Sequence, residues 1–221
     1  MQKFDTPAPI SAVLDIPAGH VQFVAADRAD TVVEVSPANA SKSRDVKAAK
    51  QTTVNYADGV LRIHTHAARS QYFGPTGFVR VTVQLPTGSR VEAKTASSEL
   101  HSVGRLGDVT FDGAHGQIRI DEAASVHLTA IDGDVEVGHL DGPARISTAR
   151  GDIRITEAVR GTVVLTTQSG GISVGAAPGV SASLDAGTSY GRIDNTLKND
   201  GTPGLDIHAT TAHGDIVARS L

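Results

Sequence analysis

A short pattern of apolar residues returns about every 18 positions between Val91 and Val174, and it restricts the fold more than any other feature. Each copy begins with a tripeptide whose first and third residues are apolar, as alternation along a β-strand requires. The copies are Val91/Ala93, Val109/Phe111, Val126/Leu128, Ala144/Ile146, Val163/Leu165, Ala182/Leu184 and Leu205/Ile207. A fixed repeat of this length indicates stacked β-coils rather than a sandwich. We therefore expect like residues to lie over one another in one apolar column.

A second strand follows each tripeptide, because another apolar position recurs seven residues later, or nine residues later in the last two copies. In most copies it belongs to a Gly-x-[Ile/Val]-x-[Ile/Val] segment, as in Gly151–Ile155. The intervening column is made of small residues, as a tight corner between coils requires: Thr95, Gly113, Ala130, Thr148, Thr167, Ala186 and Ala209. The pattern predicts an all-β, single-stranded β-helix, or β-solenoid, with coils of about 18 residues.

The chain is predicted to form one domain with two continuous parts. Residues 1–90 are expected to form degenerate N-terminal coils with a hairpin and a capping helix at about 41–51, for which Ser41 is the expected N-cap. Residues 91–221 are expected to form the regular coils.

The last two copies predict the C-terminal end of the stack. The segment Asn195–Gly204 is expected to fold across that end, and Leu205–Ala218 to form the final coil. No cap follows that coil, so its edge is expected to be covered by the insertion or by a second copy of the chain.

Composition excludes several function classes. The formal charge is -4 and the pI is about 6.1, so neither nucleic acid nor insertion into a membrane is expected. The absence of cysteine excludes disulfides, cysteine-bound zinc and thiol catalysis. We predict no cofactor. The N-terminal sequence lacks the pattern of a secretory signal, and the expected location is the cytoplasm.

Charged residues of alternating sign are expected on the outer side of the second strand. Arg119, Glu136 and Arg154 occupy equivalent positions in successive coils, followed by Ser173. Such a ladder either stabilises the sheet weakly or forms a binding row. A second binding candidate is the aromatic cluster Tyr72, Phe73 and Phe78, which either packs onto the core end or forms a partner surface.

No metal site and no catalytic residue is predicted. The weak metal candidates are His64 with His66 on one strand face, His208 with His213 in the last copy, and the turn carboxylates Asp132, Asp134 and Asp152 for calcium. Asp112, Asp132 and Arg150 share a corner in which an acid/base pair for glycoside cleavage could be assembled. Turn-stabilising carboxylates and solvated histidines explain these patterns equally well.

Several segments together resemble the bacterial DUF4097 "putative adhesin" proteins, which contain β-strand repeats. The resemblance lies in Asp27–Val35, in Tyr56–Ile63 after the helix, in the Leu85–Gly88 turn and in the Gly-Asp-Ile-Arg-Ile repeats, and it covers nearly the whole chain. It implies a right-handed β-helix and provides no catalytic residues. The family label implies a role at a surface.

These observations predict a non-enzymatic β-solenoid scaffold that binds an unknown protein partner or associates with itself through a face or an end. The alternative is a module that binds or cleaves carbohydrate along one face of the solenoid, as many β-helices do.

Overall fold

The computed structural model describes residues 1–66 and 77–221, in which all strands belong to one hydrogen-bonded sheet that does not close on itself. One helix, α1 (Ser43–Gln51), interrupts the strands. The strands are β1 (Gln2–Asp5), β2 (Ser11–Ala26), β3 (Asp30–Pro37), β4 (Thr52–Ala57), β5 (Val60–Thr65), β6 (Val79–Pro86), β7 (Arg90–His115), β8 (Ile118–Thr129), β9 (Val135–Leu140), β10 (Ala144–Arg150), β11 (Ile153–Ala158), β12 (Gly161–Ser169), β13 (Ile172–Ala176), β14 (Ala182–Tyr190), β15 (Ile193–Thr196), β16 (Leu205–His213) and β17 (Ile216–Ser220).

The predicted apolar column is confirmed in the first face of the stack, which includes β8, β10 and β12. Parallel pairing places Phe111 beside Leu128, Leu128 beside Ile146, and Ile146 beside Leu165. All four side chains are buried. Each contributes about 1.5–3 kcal/mol of hydrophobic stabilisation, which offsets the entropy lost when a coil is ordered.

The second face contains β9, β11, β13, β15 and β17 together with parts of β2, β7 and β8. Its inward column runs in register from Leu100 through Ile118, Val135 and Ile153 to Ile172. A third face is formed where Leu106, Ala123, Leu140 and Ala158 pack over one another. The three faces enclose one narrow aliphatic core.

Glycine is required at the corner between the first and second faces. Gly133, Gly151 and Gly170 have positive φ, and a Cβ on each would collide with the backbone carbonyl of the glycine one coil before it. No other residue fits both the backbone conformation and the close approach of adjacent coils.

The N-terminal end of the stack is closed by antiparallel strands. β2 lies between β7 on one side and the β5–β6 coil on the other, and β5 and β6 pair further outward with β4 and β3. The β4–β5 hairpin turns at Asp58 and Gly59, both with positive φ, as a two-residue type I′ turn requires. Helix α1 packs against β3 and β6 at this end.

The start of α1 differs from the expected position. Its N-cap is Lys42, which makes no capping hydrogen bond through its side chain, so Ser41 is not the cap. The buried Asp45 carboxylate instead accepts hydrogen bonds from the backbone N–H groups of Asn39 and Phe78. Contacts with neighbouring segments, rather than a local cap, therefore hold the beginning of this helix.

The order of the last coils contradicts the prediction that Leu205–Ala218 ends the stack. β16 pairs with β12 on one side and β14 on the other, and β17 lies likewise between β13 and β15. The last coil in the chain is thus inserted before the preceding one, and β14–β15 forms the end. The pairing of β12 with β16 is also offset by two residues from the repeat columns, because it places Val163 beside Ile207 rather than Leu205.

Candidate functional site: a charged ladder on the second face

Four side chains on the second face form a continuous row, which we call the ladder surface: His101, Arg119, Glu136 and Arg154. Each pairs in register with the next. Their backbone positions alternate with buried core residues, so the strand pleat directs all four side chains outward. The predicted alignment of Arg119, Glu136, Arg154 and Ser173 is therefore present.

The charges on the ladder surface are only partly compensated. The Arg119 Nε and Glu136 Oε2 atoms are 3.6 Å apart, and both side chains are about half exposed. In the part of the chain that the structure describes, no carboxylate lies within 4.0 Å of the Arg154 guanidinium. A shallow depression of about 380 Å³ beside Arg119 and Glu136 also reaches His101. The row therefore offers two accessible guanidinium groups against one carboxylate.

A denser ionic cluster lies on the third face and was missed in the sequence. His139 faces Glu122 and Glu157 in register, and its two ring nitrogens lie 3.2 Å from Asp141 and 3.3 Å from Glu157. Partial burial lowers the pKa of His139, but the hydrogen bonds that its ring N–H groups donate to the Glu157 and Asp141 carboxylates, and the charges of these carboxylates, outweigh burial and raise the pKa above 6.5. The spacing of Glu122, His139 and Glu157 follows the apolar repeat and could have revealed this column.

This third-face cluster has the donor types of a metal site but already contains compensating cations. Potential ligand atoms of Glu122, His139 and Asp141 lie within 4.8 Å of one another. However, the Arg105 guanidinium lies 2.8 Å from Asp141 and 3.3 Å from Glu122, and the imidazole pairs with two carboxylates. The arrangement is therefore that of an ion-pair network.

The predicted metal candidates occupy separate places. His64 and His66 pack edge to face with ring centroids 4.7 Å apart, and His64 pairs with Asp15. Among the described residues, neither histidine belongs to a group of three clustered ligands. His208 pairs with Asp185, whereas the ring of His213 stacks on Tyr190.

The turn carboxylates mainly bind backbone groups of the adjacent coil. Asp134 accepts a hydrogen bond from the N–H of Asp152, and Asp152 accepts one from the N–H of Gly171. Asp132 lies 3.5 Å from Arg150. Asp132, Asp134 and Asp152 do not form a clustered ligand set in the described residues.

The proposed acid/base trio is divided between two sides of a corner. Asp112 lies in β7 on the first face and pairs with Thr129, whereas Asp132 forms isolated bridges with His115 and Arg150. Asp112 instead lies on the rim of an open groove of about 750 Å³, together with Asp15, His64 and Lys94. The apolar residues Pro17, Ala96 and Ile131 also line this groove.

The aromatic candidates are only partly described. Tyr72 and Phe73 lie outside the described residues, so their prediction stays untested. The side chain of Phe78 is exposed, while its backbone N–H is held by Asp45.

Together the stacked coils and the ladder surface define an all-β repeat protein. The family model for Toastrack DUF4097 matches residues 13–220, and the chain belongs to this family. No helix in the described residues has the length and apolar character to cross a membrane. A comparison with curated proteins finds no match.

Several solved structures are similar in fold to this chain. A "putative adhesin" from Bacteroides fragilis has 12% identity and a TM-score of 0.49, with 98% of this chain and 95% of that chain covered. A second one, from Parabacteroides distasonis, has 14% identity and a TM-score of 0.42, with the same coverage. A "putative cell adhesion protein" from Clostridium sporogenes has 10% identity and a TM-score of 0.42, with 100% and 98% covered.

Proposed function

We propose that this Toastrack domain is a non-enzymatic interaction scaffold whose ladder surface binds an acidic segment of a partner protein. In this proposal the chain winds as a right-handed β-solenoid with coils of about 18 residues. Support for the winding comes from the parallel pairs of the regular coils and from the strong preference of parallel β-crossovers for the right hand.

The observation that carries the proposal is the partly compensated charge of the ladder surface, in which one carboxylate lies between two arginines. Arg119 and Arg154 flank Glu136 at successive strand spacings of about 4.8 Å each, so the backbone positions of the two arginines are about 10 Å apart along the stack. Guanidinium groups bind carboxylates in a bidentate manner, and a partly solvated arginine retains free donors. An extended acidic segment running along the stack axis would match this row.

Charge reversal on the ladder surface tests the proposal. The double variant Arg119→Glu/Arg154→Glu and the matched variant Arg145→Glu, on the exposed side of the first face, are used as affinity baits in an extract of the native cells. We expect wild type and Arg145→Glu to capture a defined protein that the double variant does not capture. Once purified, that protein should bind wild type more weakly as the salt concentration rises. Equal recovery with all three baits would contradict the proposal.

The groove on the first face supports a second candidate, which is carbohydrate binding or cleavage. Its lining combines the carboxylates of Asp15 and Asp112 with His64 and Lys94 and with several apolar residues. Polar groups around an apolar surface are typical of small-ligand sites. Glycan-array binding or hydrolase activity that is lost in Asp112→Ala, but retained in the ladder double variant, would favour this candidate over the first.

A further inference from the structure

Two isoleucines in the same core column differ sharply in exposure. Ile193 in β15 pairs directly with Ile216 in β17, yet Ile216 is 1% exposed and Ile193 is 46% exposed. Ile193 thus holds a core position that no further coil covers within the described residues.

The rest of the β14–β15 coil is open in the same direction. β14 pairs with β16 and β15 with β17, and neither has a second partner strand in the described part of the chain. Leu184 and Ala186 in β14 are only partly buried against the core, as are Val180 and Leu197 beside them. Only the start of β14 is engaged on its outer side, where the N–H of Ala182 donates a hydrogen bond to the carbonyl of Lys198. Beyond Ala182, the end coil exposes apolar core surface and strand edges without a partner strand in the described residues.

At the opposite end of the stack, the described residues show no such surface. Ile63 and Val81, which hold core positions in the outermost parallel coil at that end, are 1% and 0% exposed because β3, β4 and α1 cover them. A head-to-tail contact would place the open apolar end against an already covered one. Two identical open ends are the better match, and they form a closed, two-fold contact.

The sequence of β14 permits this pairing with itself. The segment Ala182–Tyr190 contains no lysine, arginine or proline, the residues that usually protect an exposed edge from pairing. In an antiparallel pairing centred on Ala186, its only charged residue, Asp185, faces the uncharged Gly187 of the other copy, and inward residues face inward residues.

We propose that two copies of this chain associate end to end through the β14–β15 coil, with β14 pairing antiparallel to β14 across a two-fold axis. The contact extends the sheet and covers the open core ends of both copies. It uses the end of the stack and none of the ladder surface.

Sedimentation velocity at increasing protein concentration tests the contact. Because the interface is small, we expect the dimer fraction to rise between about 5 and about 500 µM. Ile193→Lys should abolish the dimer, whereas Ile131→Lys, at an isoleucine of similar exposure in the middle of the stack, should leave it unchanged. A strict monomer over this range, or a dimer unaffected by Ile193→Lys, overturns the proposal. The β14–β15 end would then be a surface for a different protein.

Two variants of opposite charge at Gly187 test the register of the β14–β14 pairing. Gly187 has open space around its Cβ position and no positive φ, so substitutions there should not disturb the monomer. Gly187→Asp would place two carboxylates opposite each other and weaken the dimer, whereas Gly187→Lys would face Asp185 and strengthen it. Equal effects of the two variants would overturn the β14 pairing. Partner capture by the ladder surface is unaffected by these variants, so the two proposals fail separately.

Discussion

The imidazole of His139 lies 3.3 Å from the carboxylate of Glu157, its in-register neighbour on the next coil. The other ring nitrogen contacts Asp141, whose second oxygen contacts Arg105. These contacts join residues from several coils on the third face. The network therefore links adjacent coils by charge and makes part of the stability of the stack dependent on pH.

Replacement of His139 by Gln should destabilise the protein more in mild acid than in mild alkali. The folded-state pKa of His139 is raised, so its contribution is fully present below 6.5 and is lost as the pH rises through the folded-state value. We expect a loss of about 0.5–1 kcal/mol in unfolding free energy near pH 5.5 and a smaller loss near pH 9.

Chemical denaturation at both pH values measures this difference. His127→Gln is the matched control, because His127 is an exposed histidine on the first face without an ion pair in the described residues. A loss for His139→Gln that is independent of pH would show that the imidazolium does not hold the coils together.

The carboxyl of Asp30 should titrate far below its usual range. Hydrogen bonds from Arg28 and then Lys3 lower its pKa from 3.8 to about 2. Its contribution to stability is present above 3.8 and is lost as the pH falls towards the folded-state value. Carbon-detected NMR titration should show this midpoint in wild type and a return towards 3.8 in Arg28→Gln, with no change in Arg62→Gln. A midpoint near 3.8 in wild type would contradict the assigned contacts.

Replacing a corner glycine by alanine should lower the unfolding free energy far more than replacing a glycine of the end strand β14. Gly151 combines a φ of 131° with the carbonyl of Gly133 at the place of a Cβ, so we expect Gly151→Ala to lose about 3 kcal/mol. Gly187→Ala has open space and should change stability by less than about 1 kcal/mol. Thermal and denaturant unfolding compare the two, and similar losses would contradict the close approach of coils at this corner.

Truncating a core side chain in the middle of the column should destabilise the protein more than truncating one at the end of the column. Ile146 lies between Leu128 and Leu165 and is fully buried, so Ile146→Ala should cost about 2–5 kcal/mol. Leu184 in the end coil is only partly buried, and Leu184→Ala should cost about 1 kcal/mol. Denaturant unfolding measures both, and equal losses would contradict the open end.

The repeat predicted the packing of the regular coils because each inward residue there is fixed by the same local alternation. Phe111, Leu128, Ile146 and Leu165 could be aligned from spacing alone, and so could Arg119, Glu136 and Arg154. The order of the last coils could not be predicted in this way. A parallel coil can pair with either side of a similar neighbour, so the repeat alone does not fix which coil lies outermost. The connection that sets this order, Asn195–Gly204, does not contain the repeat.

The nine-residue spacing in the last two copies was the available signal for their altered register. It keeps Ile193 and Ile216 in the column of Ile172 while moving the first strand by two residues. The start of α1 was mispredicted for a different reason, because Asp45 is held by distant backbone groups that local capping rules do not consider. The ionic cluster around His139 was not predicted, although Glu122, His139 and Glu157 recur with the spacing of the apolar repeat.

The order of the coils is the claim on which the open end and the core columns depend, and engineered disulfides test it directly. The chain has no cysteine, so two introduced residues are its only thiols. Thr166 and Thr210 are exposed neighbours in register on β12 and β16, whereas the repeat columns would place Thr166 beside Asp185 of β14. In the structure β16 separates those two strands, which puts Thr166 and Asp185 about 10 Å or more apart, beyond the reach of a disulfide. Mass spectrometry after oxidation of the folded protein should find the bond in Thr166→Cys/Thr210→Cys and none in Thr166→Cys/Asp185→Cys; the reverse result would contradict the inserted coil.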